Sequence, residues 1–174
     1  VLAMYRLAKD VLQSKTAVVV AVFAFALVLR SFIWLLMGGG ITRSLGLLFA
    51  MLALHQIYLM YNTRERRYVI TSSVLAALTV LSHIQTGSFL AFSSALFFLS
   101  YGLHRRGLVY STIVGVAVIV LTAPYWGSVV AMHGVQPFLS ANQTGGSIIT
   151  ADEGLRDYLI ESLLRLGTLS EPLF

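Results

Sequence analysis

Cysteine is absent from this chain of 174 residues, which excludes disulfides and thiolate metal sites and leaves the compartment open. Charge is almost as scarce. Twelve Lys and Arg with seven Asp and Glu make 11% of the residues, where a soluble domain carries about a quarter. Proline is down to three, so little interrupts a helix. What the chain has instead is hydrocarbon, with 57% hydrophobic residues and a mean hydropathy of +0.83. The apolar residues fall in blocks of 14 to 18 separated by basic clusters. That layout suits several bilayer-crossing helices and not one buried core. The expected fold class is all-α, a polytopic transmembrane helical bundle.

Five blocks stand out, at residues 16–29, 44–61, 68–82, 87–101 and 108–123. Between them lie Arg6, Lys9 and Lys15, then Arg64-Glu65-Arg66-Arg67, then His104-Arg105-Arg106. If the blocks cross alternately these clusters share one side, cytoplasmic by the positive-inside rule. That side holds 8 of the 12 Lys and Arg and 2 of the 7 acids. The basic balance is thus topological and asks for no nucleic acid. The chain opens on Val1 inside a helical pattern of Leu2, Tyr5 and Leu12, so it is expected to be an internal piece of a longer protein, with its N-terminus cytoplasmic.

Blocks of 14 to 16 residues reach only about 21 to 24 Å as helix, against a hydrocarbon core of roughly 30 Å. The helices are therefore expected to be short or broken, stopping below the outer surface. Arg30, Arg43 and Ser82-His83-Ile84-Gln85-Thr86 sit at those ends, as an outward-facing aqueous cavity requires. A full-length first helix with Arg30 reaching to the interface is the alternative. The bundle is expected over residues 1–124, followed after Pro124 by an external juxtamembrane segment, 125–174. In that segment Thr150-Ala-Asp-Glu153 reads as a capping box, opening an amphipathic interfacial helix over about 151–166.

Gly38-Gly39-Gly40-Ile41-Thr42-Arg43-Ser44 is the most informative stretch. Consecutive glycines can turn several N–H groups to one point, Thr42 or Ser44 can cap the following helix, and Arg43 adds charge. Together they suit an anion, most naturally a phosphate. A tight interhelical turn is the plainer alternative. His83 and Gln85 lie in the opposite hairpin's turn, as hydrogen-bonding partners for hydroxyls or phosphate, or as polar caps. His55-Gln56 reads as a source of interhelical hydrogen bonds. His104 belongs to its basic cluster, and His133-Gly134 suits a helix-ending turn as well as a site. Trp34 with Phe32 and Tyr125-Trp126 read as interfacial aromatics or a sugar-stacking platform. Neither metal-ligand spacing, paired carboxylates nor a serine elbow is present.

The run Arg30-Ser-Phe-Ile-Trp34, Gly38-Gly-Gly-Ile-Thr-Arg43, Leu47-Leu-Phe49 and Ala76-Ala-Leu-Thr-Val-Leu-Ser-His83 resembles the polytopic GT-C-type glycosyltransferases of bacteria, relatives of the protein mannosyltransferases and the aminoarabinose transferase. Ala123-Pro-Tyr-Trp126, Met132-His-Gly134 and Gln143-Thr-Gly-Gly146 are similar to the start of their external region. The resemblance implies a multi-pass protein of the bacterial inner membrane that moves a sugar from a polyprenyl-phosphate donor to an acceptor on the outer face. The implied partners are membrane lipids and the lipid-linked sugar, and a divalent metal is left open. The family's catalytic acid, in a first external loop, has no counterpart here. Where the family's turn carries His-Pro-acid, this chain has His83-Ile84-Gln85. The residues expected to touch donor are Gly38, Gly39, Gly40, Thr42, Arg43, His83 and Gln85. A transporter or flippase for a lipid-linked or anionic solute, or a non-catalytic assembly subunit, are the alternatives.

Overall fold

In a computed structural model of the chain, residues 1–27 and 40–144 are described, and each regular element among them is helical. Helix α1 spans Leu2–Val11, α2 Lys15–Leu27, α3 Gly40–Thr63 and α4 Arg66–Ser82. Helix α5, Ile84–Phe97, passes into a π-helical turn, Phe98–Gly102, and is followed by α6, Arg105–His133, and α7, Gln136–Thr144. They divide into two units, Val1–Tyr125 and a second that starts at Trp126.

Three helices are long and apolar enough to cross a membrane: Gly40–Thr63 with 24 residues, Ile84–Gly102 with 19 and Arg105–His133 with 29. At 1.5 Å per residue α3 alone reaches about 36 Å, more than a hydrocarbon core of roughly 30 Å. The expectation of short or broken helices is corrected for Gly40–Thr63 and Arg105–His133, whereas Ile84–Gly102 reaches about 28 Å and turns π-helical at Phe98. Polar side chains at the ends of α3 are carried within the helix by bonding its own carbonyls. Ser44 Oγ donates to Gly40 O at 2.6 Å, Asn62 Nδ2 to Tyr58 O at 2.9 Å and Thr63 Oγ1 to Leu59 O at 2.9 Å. Shortness holds for α4, with 17 residues. Pro124 lies inside α6 and not beyond its end. Its ring removes one N–H and crowds the preceding turn, and close by the Thr122 hydroxyl bonds Val118 O at 2.8 Å, the kind of local adjustment that lets a membrane helix carry proline.

Polarity is inside out. On α4, Ile70, Val74, Leu78 and Leu81 are exposed, while Ser72, Ser73, Ala76, Ala77 and Thr79 are buried. Ser72 and Thr79 have no exposed surface at all, whereas Ile70 is 65% exposed. In water this would be a large unfavourable apolar surface; in a bilayer the apolar face meets lipid and small residues let helices approach. The α3–α4 pair forms the most extensive interface, with Ala50, Ala53 and Ala76 meeting in its core. Over the described residues the chain is all-α, with three helices long and apolar enough to span a membrane, and this inversion suits a lipid surround.

Helix α1 runs beside α3 in the same direction. Val1 and Met4 share a small cavity with Ser44 and Leu48, Leu7 packs with Ala50 and Leu54, and Asp10 meets His55 and Tyr58. The turn after α1 is therefore level with Tyr58, about 8 Å short of Thr63, and Val1 lies at the Ser44 end of α3. The expectation that the N-terminus shares the side of the Arg64 and Arg105 clusters is corrected, because α1 packs parallel to α3. The Arg64 and Arg105 clusters do share one end, tied by the Tyr110 hydroxyl to Arg64 O at 3.2 Å. Arg64 closes α3 at φ 59, a left-handed position where a non-glycine residue costs about 1 kcal/mol.

Candidate functional site

At the other end of α4, a single residue makes the turn. Helix α4 ends at Ser82 and α5 begins at Ile84, with His83 between them in extended backbone. Its N–H donates to Thr79 O at 2.9 Å, and its carbonyl accepts from the Gly87 N–H at 3.1 Å. The imidazole Nδ1 accepts from the Thr86 N–H at 3.2 Å and lies 2.9 Å from the Thr86 hydroxyl. His83 is thus the N-cap of α5, the role usually taken by Ser, Thr, Asp or Asn. A neutral ring whose Nδ1 accepts carries its proton on Nε2.

Arg43 approaches from α3. Partial burial pushes the His83 imidazole below the ordinary histidine pKa, and the nearby charge of Arg43 pushes it the same way. The ring is accordingly a neutral donor at physiological pH. The approach depends on Gly46, one turn along α3 from Arg43 and on the same face. A Cβ there would lie 3.1 Å from His83 Cβ and 3.6 Å from Thr86 Cβ.

The structure therefore brings together Arg43 and His83 from the sequence-predicted set and adds Thr86 and Gly46, which sequence reasoning passed over as site residues. The signal for Thr86 is its place three residues after the cap. Gln85 is exposed at the same turn. Gly40 is the first residue of α3, so Thr42 and Ser44 lie within the helix and do not cap it; the sequence set that start too late because it followed the apolar block. Gly38 and Gly39 fall outside the described residues, and with them the expected glycine nest. So do Arg30, Phe32, Trp34 and the amphipathic helix over 151–166.

Chemically, the Arg43–His83 corner offers a guanidinium and an imidazole N–H, both donors, and no carboxylate among the described residues. It suits an anion or a hydroxyl. A divalent cation does not fit it: Nδ1 is already committed to Thr86, the neighbour is a cation, and no group of three His, Asp or Glu side chains that could hold a metal occurs among the described residues.

The remaining histidines have structural places. His55 Nε2 lies 2.6 Å from Asp10 Oδ2 on α1, and Gln56 Oε1 accepts from Thr71 Oγ1 of α4 at 3.0 Å, so both make the expected interhelical bonds. His104 Nε2 is shut from solvent without a partner among the described residues. In the second unit His133 ends α6, and Gly134 at φ 68 returns its N–H to Val130 O at 2.9 Å, a left-handed helix stop. Tyr125 and Trp126 are exposed on α6 itself. Comparison with protein-family models, characterised proteins and solved structures finds no match to this chain.

Proposed function

We propose that the chain is the donor-binding part of a GT-C-type membrane glycosyltransferase that uses a polyprenyl-phosphate-linked sugar on the outer face of the membrane. The observation that carries this reading is the seating of His83 against Gly46, one turn along α3 from Arg43, at the opposite end of α4 from the arginine clusters. By the positive-inside rule the arginine end is cytoplasmic and the Arg43–His83 end external. Arg43 holds the donor phosphate, and the His83 Nε2–H donates to a phosphate oxygen or a sugar hydroxyl. In transfer, the bond between the anomeric carbon and the phosphate oxygen breaks as the acceptor oxygen bonds to that carbon. The departing phosphate keeps the electron pair and is stabilised by Arg43. The acceptor's proton goes to a carboxylate supplied from outside residues 1–174. His83 is not that base, because its only free lone pair is given to Thr86.

The test is sugar transfer by the full-length protein in membrane vesicles supplied with a labelled polyprenyl-phosphate sugar. Arg43→Ala is expected to lower transfer about tenfold or more, the worth of one charge-assisted hydrogen bond. Full activity in that variant overturns the assignment. Movement of the lipid-linked sugar across the vesicle without transfer replaces it with a flippase.

A further inference from the structure

Helix α6 stands off from the rest of its unit. The close helix pairings are those among α1 to α5, and α6 reaches them through side chains such as Tyr110, Ser111 and Val114. The space left between α6, α3, α4 and α5 is a groove of about 470 Å³. Three hydroxyls line it, and each is already bonded inward. Tyr61 pairs with Ser111 at 2.8 Å, Ser111 Oγ also donates to Gly107 O at 2.8 Å, and Ser94 Oγ donates to Leu90 O at 2.7 Å. The other lining side chains are apolar. A space of this kind offers water few partners, none of them a free donor, and left empty it forfeits packing. Its chemistry calls for hydrocarbon.

The groove extends along α6 from Leu108 to Val118, about 15 Å, or half of a roughly 30 Å hydrocarbon core. It therefore has the depth of one leaflet. Its near end lies one turn from Arg64 through Tyr61 and one turn from Arg105 through Leu108. Arg64, Arg66, Arg105 and Arg106 are exposed there and make no ion pair or side-chain hydrogen bond among the described residues. Glu65, the acid beside these arginines in the chain, is taken by Arg67, at 2.6 Å from Nε and 3.1 Å from Nη2. Arg64 also occupies a left-handed position that glycine or asparagine would hold more easily. Unpaired positive charge thus caps a hydrocarbon slot one leaflet deep.

We infer that this groove binds an anionic phospholipid from the leaflet at the Arg64 end, with one acyl chain along α6 and the phosphate among Arg64, Arg66, Arg105 and Arg106. The charge at the mouth selects a lipid over a further apolar helix, which would leave the four guanidiniums without counter-charge. The site lies at the opposite end of α4 from Arg43 and does not depend on the transferase reading.

The test uses the full-length protein, purified in mild detergent, delipidated, and titrated with phosphatidylglycerol or phosphatidylcholine of identical chains, with bound lipid read by native mass spectrometry. Phosphatidylglycerol is expected to be retained about tenfold over phosphatidylcholine, and each arginine changed to glutamine to cut its retention about fivefold. Glycerol phosphate, a headgroup without chains, is expected not to compete. Gly115→Leu fills the groove from a position with nothing within 4 Å of its added Cβ and is expected to lower retention of both lipids while the unfolding midpoint stays unchanged. Equal retention of the two lipids, indifference to the arginine changes, or competition by glycerol phosphate overturns the proposal. So does a groove already filled by another helix of the full protein, seen as no lipid adduct at all or as a fall in the unfolding midpoint with Gly115→Leu.

Discussion

His55 Nε2 lies 2.6 Å from Oδ2 of Asp10, and one turn further along α3 the Tyr58 hydroxyl donates to the carbonyl of the same Asp10 at 2.8 Å. Two side chains of α3 thus hold the end of α1. The His55 side chain is only 12% exposed, so the pair is shielded on one side. Polar contacts between membrane helices are worth about 0.6 kcal/mol on average and up to about 1.7. Asp10→Ala and His55→Ala are each expected to cost about 1 kcal/mol in unfolding of the full-length protein in detergent. Because they share one contact, the double variant should lose little more than the worse single one. Full additivity would show that the pair contributes nothing as a pair.

The His83 cap predicts a pH dependence with a definite sign. Burial and Arg43 hold the folded-state pKa below the ordinary value, so the unfolded chain binds the proton more readily than the folded one. Stability is complete above about pH 6.5 and falls as pH drops through the window between the unfolded and folded values. Protonation also turns Nδ1 into a donor and breaks its bond from the Thr86 N–H. His83→Asn keeps a capping acceptor and is expected to flatten this slope, whereas His83→Ala is expected to cost about 1 kcal/mol at neutral pH. An unfolding midpoint that falls equally below pH 6.5 in wild type and His83→Asn would remove His83 as the cause.

Gly46 sets how closely α3 meets the turn at His83. With His83 Cβ 3.1 Å from the position of an added Cβ, a leucine has no room. Gly46→Leu is expected to destabilise by about 1 to 3 kcal/mol and, by moving Arg43 away from His83, to weaken whatever anion that corner binds. Thermal unfolding together with donor binding checks both halves. Unchanged stability would mean that the two elements part without cost.

Ser72 has no exposed surface, and its hydroxyl has no partner among the described residues. An unsatisfied buried hydroxyl costs about 1 kcal/mol or more, and alanine is the better helix former. Ser72→Ala is therefore expected to raise the unfolding midpoint, and a fall would reveal a partner for the hydroxyl in the full protein.

The amino-acid sequence by itself determined that this chain forms helices apolar enough to cross a membrane, because a bilayer satisfies no backbone group and an apolar segment of this length must close its own hydrogen bonds there. It also marked the helical hairpin at His83, the shared end of the Arg64 and Arg105 clusters, and the interhelical use of His55 and Gln56. It misjudged helix ends. Hydropathy reports the apolar middle of a span, whereas α3 takes in polar residues at both ends, with Ser44, Asn62 and Thr63 bonded to their own helix, and Pro124 is carried inside α6. Only the tertiary structure decided which residues meet. Asp10 with His55, Arg43 with His83, and the groove beneath Arg64 and Arg105 join positions far apart in the chain. When lipid is as apolar as a protein neighbour, hydrophobic periodicity does not say which face of a helix is covered. The small residues Gly46, Ala50 and Ala53 on α3 carried that information, and their partners on the neighbouring helices became visible only once the chain was folded.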